Sequence, residues 1–472
     1  MADAETNDLV VVGSGPGGYA AAFLAADKGM KVTMVSTDER PGGACLHVGC
    51  IPSKALLHAA KLITDATEAP HWGIHFEKPR IDVTTLRNQT GKVIDTMSKN
   101  LLDLAKRRGV EYVRARATFE DSNTLRLDNG TRRRFQNCIL ATGSSPTRVP
   151  SLSLESRRVM DSTGGLRLDE VPKRLLVVGG GYIGLELGYV YAALGSKVTV
   201  VELTDGLLPG VDRDLVLPLQ KRLTPLFDKI YLNTKVVKIA ESGKGIKATL
   251  EGEEVADKEP VFDAVLVAVG RKPNTRDLGL ENTKAKVNAK GFVEVDNQLR
   301  TADPHIFAIG DIAGEPMLAH NATYEGKIAV EVILGEPAIV DARAIPAVVF
   351  TDPEIAWCGL TETEARRDNR KVKSARFPWA ASGRAMTLAR TEGLTKLVLD
   401  PEDERVLGVG IVGPGAGELI GEAVLAVEMG ASARDLSMII HPHPTLTETV
   451  GEAAESIYGT ATHIYRPKRE KS

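Results

Sequence analysis

The sequence predicts an α/β protein that contains two Rossmann-like domains. Its 472 residues exceed what one hydrophobic core usually organises, so several domains are expected. An apolar strand, a glycine-rich turn, a helix and a second apolar strand follow one another at residues 8–36, and the same order recurs at residues 174–202. Because parallel strands joined by a helix are the repeating unit of a doubly wound sheet, both segments predict this fold.

Both turns have the spacing G-x-G-x-x-G. Glycines at this spacing permit a tight turn and let backbone N–H groups approach a pyrophosphate at the helix N-terminus. A glycine turn that merely packs a helix on a strand is the alternative. Two copies with the same distance to the end of the second strand favour dinucleotide binding, so we predict two bound dinucleotides. The glycines are Gly13, Gly15 and Gly18 in the first copy and Gly179, Gly181 and Gly184 in the second.

The residue that ends the second strand differs between the copies, with Ser36 in the first and Glu202 in the second. A carboxylate at this position accepts hydrogen bonds from a ribose 2′-hydroxyl and repels a 2′-phosphate. The three residues after Glu202 are Leu-Thr-Asp and supply no arginine for a phosphate. The second copy is therefore predicted to prefer NAD to NADP.

Three further strands end in turns of small residues, at residues 136–150, 263–274 and 305–314. The first two turns are predicted crossing points between domains. Asp311 follows the third strand, where its carboxylate could accept hydrogen bonds from the ribityl hydroxyls of a flavin.

Two cysteines stand five positions apart in GGACLHVGCIPSK, near the start of a predicted helix. In a regular helix Cys45 and Cys50 would lie about 7.5 Å apart along the axis and point in different directions, which is too far for a relaxed disulfide. Gly49 and Pro52 permit a distorted first turn. We therefore predict a strained and easily reduced bridge, which suits redox catalysis better than stability.

The composition excludes several classes of function. A formal net charge of −3 gives no basic surface for nucleic acid or for an anionic membrane. No apolar run is long enough to span a bilayer, and the polar start MADAETND has no leader pattern. Four cysteines are too few for a disulfide scaffold, and Cys138 and Cys358 are predicted to be packed core thiols. A reducing cytoplasm is the expected location, where a persistent disulfide is usually catalytic.

The segment IIHPHPTLTE contains two histidines. His443 is the predicted base, because imidazole titrates near neutral pH, and prolines on both sides restrict its backbone. Glu448, at the predicted start of a helix, can hold its ring in one tautomer. A metal site at His441 would need third and fourth ligands that lie nowhere near in sequence, so no metal is predicted. His47, in the cysteine segment, is another candidate for the base.

These motifs resemble those of the flavoprotein disulfide reductases, and in particular the branch that oxidises dihydrolipoamide. Matching segments run nearly end to end, and the cysteine segment and HPHPTLTE are the most specific among GSGPGGY, ATGSSP, GGGYIGLELG, VGRKPN, IFAIGD, MLAH, TDPEIAWCGLTE and FPWAASGRA. The resemblance implies an FAD-binding domain, an NAD-binding domain, a central segment that completes the FAD domain, and a C-terminal α+β dimerisation domain. We place these at residues 1–148, 149–273, 274–346 and 347–472.

The resemblance also implies roles for individual residues. Cys45 would exchange with the dithiol substrate, Cys50 would lie beside the flavin, and His443 would be the base. Because the base of the family is the C-terminal histidine, His47 is interpreted as a packing or flavin-adjacent residue. Lys54, one helical turn after Cys50, would place positive charge by the flavin ring and pair with Glu186. The remaining implied cofactor contacts are Ala117, Thr142, Gly143, Gly270, Asp311 and Ala319.

One residue departs from the family pattern. Ser36 stands where the family normally has a glutamate that holds the adenosine ribose of FAD. Serine can still form one hydrogen bond, and Asp38 is a candidate to compensate. We expect this departure to change how tightly FAD binds, and FAD remains the predicted cofactor.

The resemblance implies a homodimer that oxidises protein-bound dihydrolipoamide with NAD through FAD and the cysteine pair. Each subunit would insert His443 into the redox site of the other. The partners would be lipoyl domains of an acyltransferase or of a glycine-cleavage carrier protein, in a 2-oxo acid dehydrogenase or glycine cleavage complex. Two alternatives remain: a glutathione-type or mercuric-type reductase, and a non-catalytic docking subunit. Glu202 and the absence of a C-terminal cysteine pair argue against the first, and the retained catalytic set argues against the second.

Overall fold

The computed structural model describes residues 6–465. The first part of the chain forms strands β1 (Thr6–Val12), β2 (Val32–Ser36), β3 (Glu111–Arg114), β4 (Ala117–Asp121), β5 (Thr124–Leu127), β6 (Arg132–Leu140) and β7 (Ser144–Pro146), with helices α1 (Pro16–Asp27), α2 (Gly43–Val48), α3 (Cys50–Glu68) and α4 (Val83–Arg107). Strands β3, β2, β1 and β6 are parallel neighbours in that order. The β1 residues 9–12 are almost fully buried, as expected of a parallel strand covered by helices on both faces.

A second parallel sheet follows. Its part of the chain contains β8 (Val159–Met160), α5 (Ser162–Arg167), β9 (Arg174–Val178), α6 (Tyr182–Ala193), β10 (Lys197–Val201), α7 (Arg213–Leu226), β11 (Lys229–Tyr231), β12 (Lys235–Ser242), β13 (Gly245–Glu251), β14 (Val261–Phe262), β15 (Ala264–Val267) and β16 (Arg271–Pro273). The sheet order is β11-β10-β9-β15-β8, and β12, β13 and β14 form a separate antiparallel sheet. Strands β7 and β16 pair with each other where the chain enters and leaves this region.

The chain then returns to the first sheet. Strand β17 (Ile306–Ala308) pairs in parallel with β6, and helix α8 (Ala319–Ile333) packs on α1. The first sheet is therefore assembled from two distant stretches of sequence. Short 3₁₀ helices lie at Ala69–Trp72, Pro150–Leu152, Leu280–Asn282, Gly310–Ile312 and Trp379–Ala381.

The last part of the chain is an antiparallel sheet with helices packed against it. It comprises β18 (Ala347–Val349), β19 (Glu354–Gly359), α9 (Glu362–Arg367), β20 (Lys373–Pro378), α10 (Gly383–Thr387), β21 (Leu394–Leu399), β22 (Val406–Gly413), α11 (Ala416–Glu428), α12 (Ala433–Ser437) and α13 (Glu448–Tyr458). The strand order is β18-β19-β22-β21-β20. Helix α11 packs on β19 and β22, and α13 packs on β20 and β21.

This architecture confirms the predicted fold class of two Rossmann-like units followed by an α+β region. Cys138 and Cys358 are buried, as predicted for packed thiols. The domain boundaries placed at residues 148, 273 and 346 stay predictions. Within residues 6–465, no helix has the length and apolar character needed to cross a membrane.

Candidate functional site

Each glycine-rich turn starts directly after the strand that begins its repeat. Gly13 and Gly179 have φ angles of 111° and 107°, a backbone conformation that residues with a side chain rarely adopt. A Cβ atom at Gly18 would lie 2.1 Å from the Gly13 carbonyl oxygen, and one at Gly184 would lie 2.1 Å from the carbonyl oxygen of Gly179. These four glycines are therefore required by the turns themselves.

The middle glycine of each turn is different, because its Cβ direction is open. Gly15 and Gly181 are the N-cap residues of α1 and α6 and have ordinary φ angles of −72° and −78°. A Cβ atom at Gly181 would meet no atom within 4 Å, and one at Gly15 would meet only the Cα of Gly43, at 4.0 Å. Each turn thus leaves free space beside a helix N-terminus, which fits the pyrophosphate of a dinucleotide.

In the first turn, Ser36 is part of a small hydroxyl network. Its Oγ accepts hydrogen bonds from the Ser14 hydroxyl at 2.9 Å and from the backbone N–H of Asp38 at 3.3 Å. The Asp38 carbonyl oxygen accepts from the Tyr112 hydroxyl at 2.9 Å. Ser14 and Asp38 therefore support Ser36, and Asp38 does so through its backbone.

In the second turn, Glu202 is buried and bound to the turn. Its Oε2 accepts from the backbone N–H of Gly180 at 2.6 Å, and its Oε1 accepts from the N–H and the hydroxyl of Thr204, both at 2.8 Å. Since a carboxylate offers about four acceptor positions, about one remains for a ligand. The carboxylate is held in place before any ribose arrives.

The two cysteines lie on either side of a helix break. Cys45 belongs to α2 and Cys50 is the first residue of α3, with Gly49 between them at φ −142° and ψ −116°. A Cβ atom at Gly49 would lie 2.8 Å from the Ala44 carbonyl oxygen, so the break needs a glycine for space. The predicted distortion is confirmed. Both cysteines are free thiols here, with Cys50 more exposed than Cys45.

The pKa values of the two thiols are shifted in opposite directions. The hydrogen bond from Cys45 and the positive charge of Lys54 lower the pKa of Cys50 to about 7, although burial opposes this change. The same hydrogen bond, together with burial, raises the pKa of Cys45. When the pair is reduced, the thiolate therefore resides on Cys50.

Lys54 joins the cysteine helix to the second dinucleotide unit. Its Nζ lies 2.9 Å from Oε2 of Glu186, a buried residue of α6. Glu186 Oε1 accepts from the backbone N–H of Phe350 at 3.0 Å, and the Lys54 ammonium lies 4.3 Å from the centroid of the Phe350 ring. The predicted pairing of Lys54 with Glu186 is present, and Phe350 holds both members.

Asp311 lies at the β7–β16 crossing. Its Oδ2 accepts a hydrogen bond from the Ser144 hydroxyl, which in turn accepts from Nε of Arg271 at 2.7 Å. Asn274 ties the same crossing together by donating from its side chain to the Thr142 carbonyl oxygen at 2.9 Å. The predicted residue therefore belongs to a network that the sequence did not suggest.

The remaining predicted cofactor contacts lie around these turns. Ala117 starts β4 and is buried in the core, whereas Ala319 starts α8. The Gly143 carbonyl oxygen accepts from the N–H of Asn274 at 2.9 Å, and that of Gly270 accepts from the N–H of Thr147 at 3.0 Å. Their contacts with a cofactor stay predictions.

His443 and Glu448 form the predicted pair. The ring Nδ1 lies 2.8 Å from Glu448 Oε1, and Glu448 Oε2 accepts from the backbone N–H of Thr445 at 2.7 Å. Burial works against ionisation, yet the hydrogen bonds from His443 and Thr445 lower the pKa of Glu448. Nδ1 is bound to the carboxylate, and among residues 6–465 no hydrogen bond engages the opposite ring nitrogen. The His443 side chain is 72% exposed.

Two other histidines have partners of their own. His47 Nε2 lies 3.0 Å from the Arg40 carbonyl oxygen, which agrees with a packing role. His441 Nε2 lies 2.8 Å from Oε1 of Glu422, on α11.

The chain does not bring His443 into contact with the cysteines. Among residues 6–465, no hydrogen bond or ion pair joins His443 to Cys45 or Cys50. Helix α13 packs on α12, β20 and β21, whereas α3 packs on α2, α4 and α6.

Sequence reasoning missed Phe350, Ser144 and Asn274. Each lies in or beside a segment that is notable in the sequence, namely TDPEIAWCGLTE, ATGSSP and VGRKPN. Those segments marked the regions that would contribute to the site, but only the fold shows which of their side chains are in contact.

The comparisons with known proteins point to one family over most of the chain. Residues 7–326 match the model of the pyridine nucleotide-disulphide oxidoreductase family, and residues 345–454 match the dimerisation domain of that family. A dihydrolipoyl dehydrogenase of Haemophilus influenzae is 46% identical over 467 residues, which are 98% of this chain and 97% of that protein. One of Geobacillus stearothermophilus is 45% identical over 460 residues, 97% of each chain.

Two solved structures have the same fold over nearly the whole chain. LpdA of Mycobacterium tuberculosis superposes with a TM-score of 0.88 at 28% identity, over 95% of this chain and 99% of that one. The flavoprotein disulfide reductase RclA of Escherichia coli, induced by HOCl, gives a TM-score of 0.85 at 27% identity, over 96% of this chain and 100% of that one.

Proposed function

Because the chain belongs to the pyridine nucleotide-disulphide oxidoreductase family, we propose that it is an enzyme that oxidises protein-bound dihydrolipoamide to lipoamide with NAD as acceptor. Bound FAD and NAD supply the two-electron path from the thiols to the nicotinamide. The first glycine turn takes the FAD and the second takes the NAD. The open Cβ directions of Gly15 and Gly181 support a dinucleotide in each turn, and the order of FAD and NAD follows the family resemblance.

The reaction converts two substrate thiols into one disulfide. His443 removes a proton from the dithiol. The resulting thiolate attacks the Cys45 sulfur of the oxidised pair, and Cys50 leaves as a thiolate. The second substrate sulfur then attacks the first one, which releases lipoamide, and Cys45 leaves and takes the proton of that second thiol while His443 still holds the first proton. The pair returns to a disulfide by giving up two electrons, which reach NAD⁺ as a hydride while one proton is released to solvent.

One observation carries this proposal. The thiol with the lowered pKa, Cys50, begins the helix whose Lys54 is bound to Glu186 on the helix of the second dinucleotide turn. Direct contacts thereby join the cysteine helix to the helix that follows the second glycine turn. A docking subunit without activity would have no use for this arrangement.

The second subunit completes the site. The exposed ring of His443 follows a stretch in which Ile440 is 96% exposed and Met438 is 65% exposed, within the segment that matches the dimerisation domain. A partner subunit would cover these apolar side chains and receive His443 beside its own cysteines. Lipoyl domains of an acyltransferase or of a glycine-cleavage carrier protein are the proposed macromolecular substrates, and cytoplasm is the proposed location.

The test of the reaction is a comparison of two rates. The purified enzyme is assayed for NAD⁺ reduction by dihydrolipoamide and for NADPH oxidation by glutathione disulfide. We expect turnover in the first assay and almost none in the second, because Glu202 repels a 2′-phosphate. Faster turnover with glutathione disulfide would contradict the proposal and favour a glutathione-type reductase.

The test of the shared site is complementation. Subunits with Cys50→Ser are mixed with subunits with His443→Gln under conditions that let dimers exchange, and exchange is confirmed by mass. Each mixed dimer would contain one site with both residues intact, so activity should return from two inactive parents. If exchange occurs without activity, His443 serves its own subunit or is not the base.

A further inference from the structure

The proposed base lies in a segment whose side chains are mostly exposed. From Met438 to Pro444, His441 is the one residue that is not exposed. Its side chain is only 9% exposed, whereas the His443 ring, two residues later, is mostly in solvent. The His443 ring itself is held by Glu448, and His441 is the side chain that packs the preceding segment into its own subunit.

The His441 ring sits between two helices. On one side its Nε2 lies 2.8 Å from Glu422 of α11. On the other side it lies against Gly451 of α13, where a Cβ atom would be 3.1 Å from the ring Nδ1. The glycine thus leaves room on α13 for the imidazole, and the ring bridges α11 to the helix that begins with Glu448.

The surroundings of the ring are negative. The hydrogen bond and charge of Glu422, with a smaller effect of Glu448, raise the pKa of His441, although burial opposes this change. Glu455, on the same face of α13, also interacts with it. The ring is consequently stabilised as a cation by carboxylates of both helices, a charged contact that is stronger than a neutral one.

We propose that His441 is a positioning residue for the base, and that its contacts with Glu422 and Gly451 fix the segment that carries His443. The inference rests on the proposed function, in which His443 removes the substrate proton. His441 does not touch the substrate; it sets where the His443–Glu448 pair is presented to the other subunit. Because reacting groups must be held in register, a loose segment would slow proton removal without affecting the cofactor turns.

The chain offers a matched control. His463 also pairs with a glutamate, Glu452 of α13, at 2.5 Å between Nδ1 and Oε1. That ring is 52% exposed and belongs to the chain that follows α13, whereas the segment with His441 and His443 precedes that helix. His463→Ala removes the same type of pair from the same helix without touching the anchored segment.

The experiment uses the holoenzyme dimer and two activities. His441→Ala should lower kcat/KM for dihydrolipoamide by about 10- to 100-fold, as expected for a misplaced catalytic group, whereas NADH oxidation by ferricyanide, which bypasses the dithiol site, should change little. Gly451→Ala, whose added methyl group would press against the His441 ring, should lower the same kcat/KM by a smaller factor. Glu422→Gln should also lower it by a smaller factor. His441→Gln, which can still donate to Glu422, should recover part of the lost kcat/KM.

The loss of kcat/KM in Glu422→Gln should be greatest at low pH, where the His441 ring is charged, and should shrink as the pH rises through the raised pKa of His441.

Hydrogen exchange separates this proposal from the proposed reaction. Exchange across residues 438–447 should become faster in His441→Ala and stay unchanged in His463→Ala, whatever substrate the enzyme uses. Unchanged exchange, or dithiol turnover in His441→Ala equal to that of His463→Ala, would overturn the anchor. A parallel loss of both activities with a large fall in Tm would also overturn it, since that result indicates general destabilisation. A wild-type enzyme that does not oxidise dihydrolipoamide would refute the reaction and leave the exchange result as the test of the anchor.

Discussion

The two glycine turns have nearly the same backbone and different polar residues. Their first glycines have φ angles of 111° and 107°, and in both turns the last glycine closes onto the carbonyl oxygen of the first. At the end of the second strand, however, one turn has Ser36 bound to the Ser14 hydroxyl, and the other has Glu202 bound to the Gly180 N–H. The glycines therefore specify the turn, and the two turns differ in the residue that ends the second strand.

This contrast has a consequence for how a ribose is held. Glu202 is fixed by three hydrogen bonds and presents a negative charge. Ser36 is supported by Ser14 and the Asp38 N–H and presents a neutral hydroxyl. The second turn is thus expected to discriminate sharply between ribose and ribose phosphate, and the first to bind its ribose more weakly.

The largest expected effect concerns the turn itself. Gly179→Ala forces a side chain onto φ 107° with its Cβ 2.5 Å from the Ala268 carbonyl oxygen. Strain and overpacking together should lower the free energy of unfolding by about 2–5 kcal/mol. Gly181→Ala, in the same turn but with open space around the Cβ, should leave it within about 1 kcal/mol. Chemical denaturation of both variants measures the difference, and equal losses would show that the turn does not depend on the special φ angle.

The next effect concerns nucleotide choice. Glu202→Ala removes a charged acceptor whose hydrogen bonds are worth about 1.5–3 kcal/mol, so the preference for NAD over NADP should fall by about 10- to 100-fold. Steady-state kinetics with both nucleotides at saturating dihydrolipoamide measures this ratio. An unchanged ratio would mean that the ribose is bound elsewhere.

A pH-dependent effect follows from the cysteine pair. Cys50 has a pKa of about 7, so in the reduced enzyme it is a thiolate above this pH and gains a proton as the pH falls through it. Lys54→Met removes a positive charge, so the midpoint should move to higher pH. The measurement is the long-wavelength absorbance that a thiolate gives beside a bound flavin, titrated in both proteins. A midpoint that does not move would show that Lys54 does not act on Cys50.

The smallest effect is expected at Ser36. Ser36→Glu introduces the carboxylate that the family resemblance implies at this position and should slow the loss of FAD on dilution by roughly fivefold, as expected from one additional hydrogen bond of about 1 kcal/mol. Fluorescence of released flavin measures the loss. Equal retention in both proteins would mean that Ser14 and the Asp38 N–H already compensate for the missing glutamate.

The sequence was sufficient for features that depend on local spacing. The two turns, the break between Cys45 and Cys50, and the pairing of His443 with Glu448 are all set by residues close together in the chain. The Lys54–Glu186 pair is distant in sequence and was available only from the family resemblance.

Features that depend on how distant segments meet were not predictable. The Lys396 ammonium is 1% exposed and lies 2.6 Å from both Asp212 and Asp214, which joins β21 to the start of α7. Nothing around residue 396 indicates a buried charge, and only the packed fold provides the carboxylates that make its burial tolerable. The contacts of Phe350 with Lys54 and of His441 with Glu422 escaped prediction for the same reason.

The assignment of one dinucleotide to each turn is tested most directly by measuring FAD content and the dissociation constant of NADH on the same preparations of Gly15→Ala and Gly181→Ala. Both methyl groups enter open space, so both proteins should fold, and each methyl group should obstruct only its own pyrophosphate. Gly15→Ala should lose FAD and keep its NADH affinity, whereas Gly181→Ala should keep FAD and bind NADH about tenfold more weakly, a loss of about 1.4 kcal/mol. The reverse pattern, or equal losses of both ligands in both variants, would contradict the assignment.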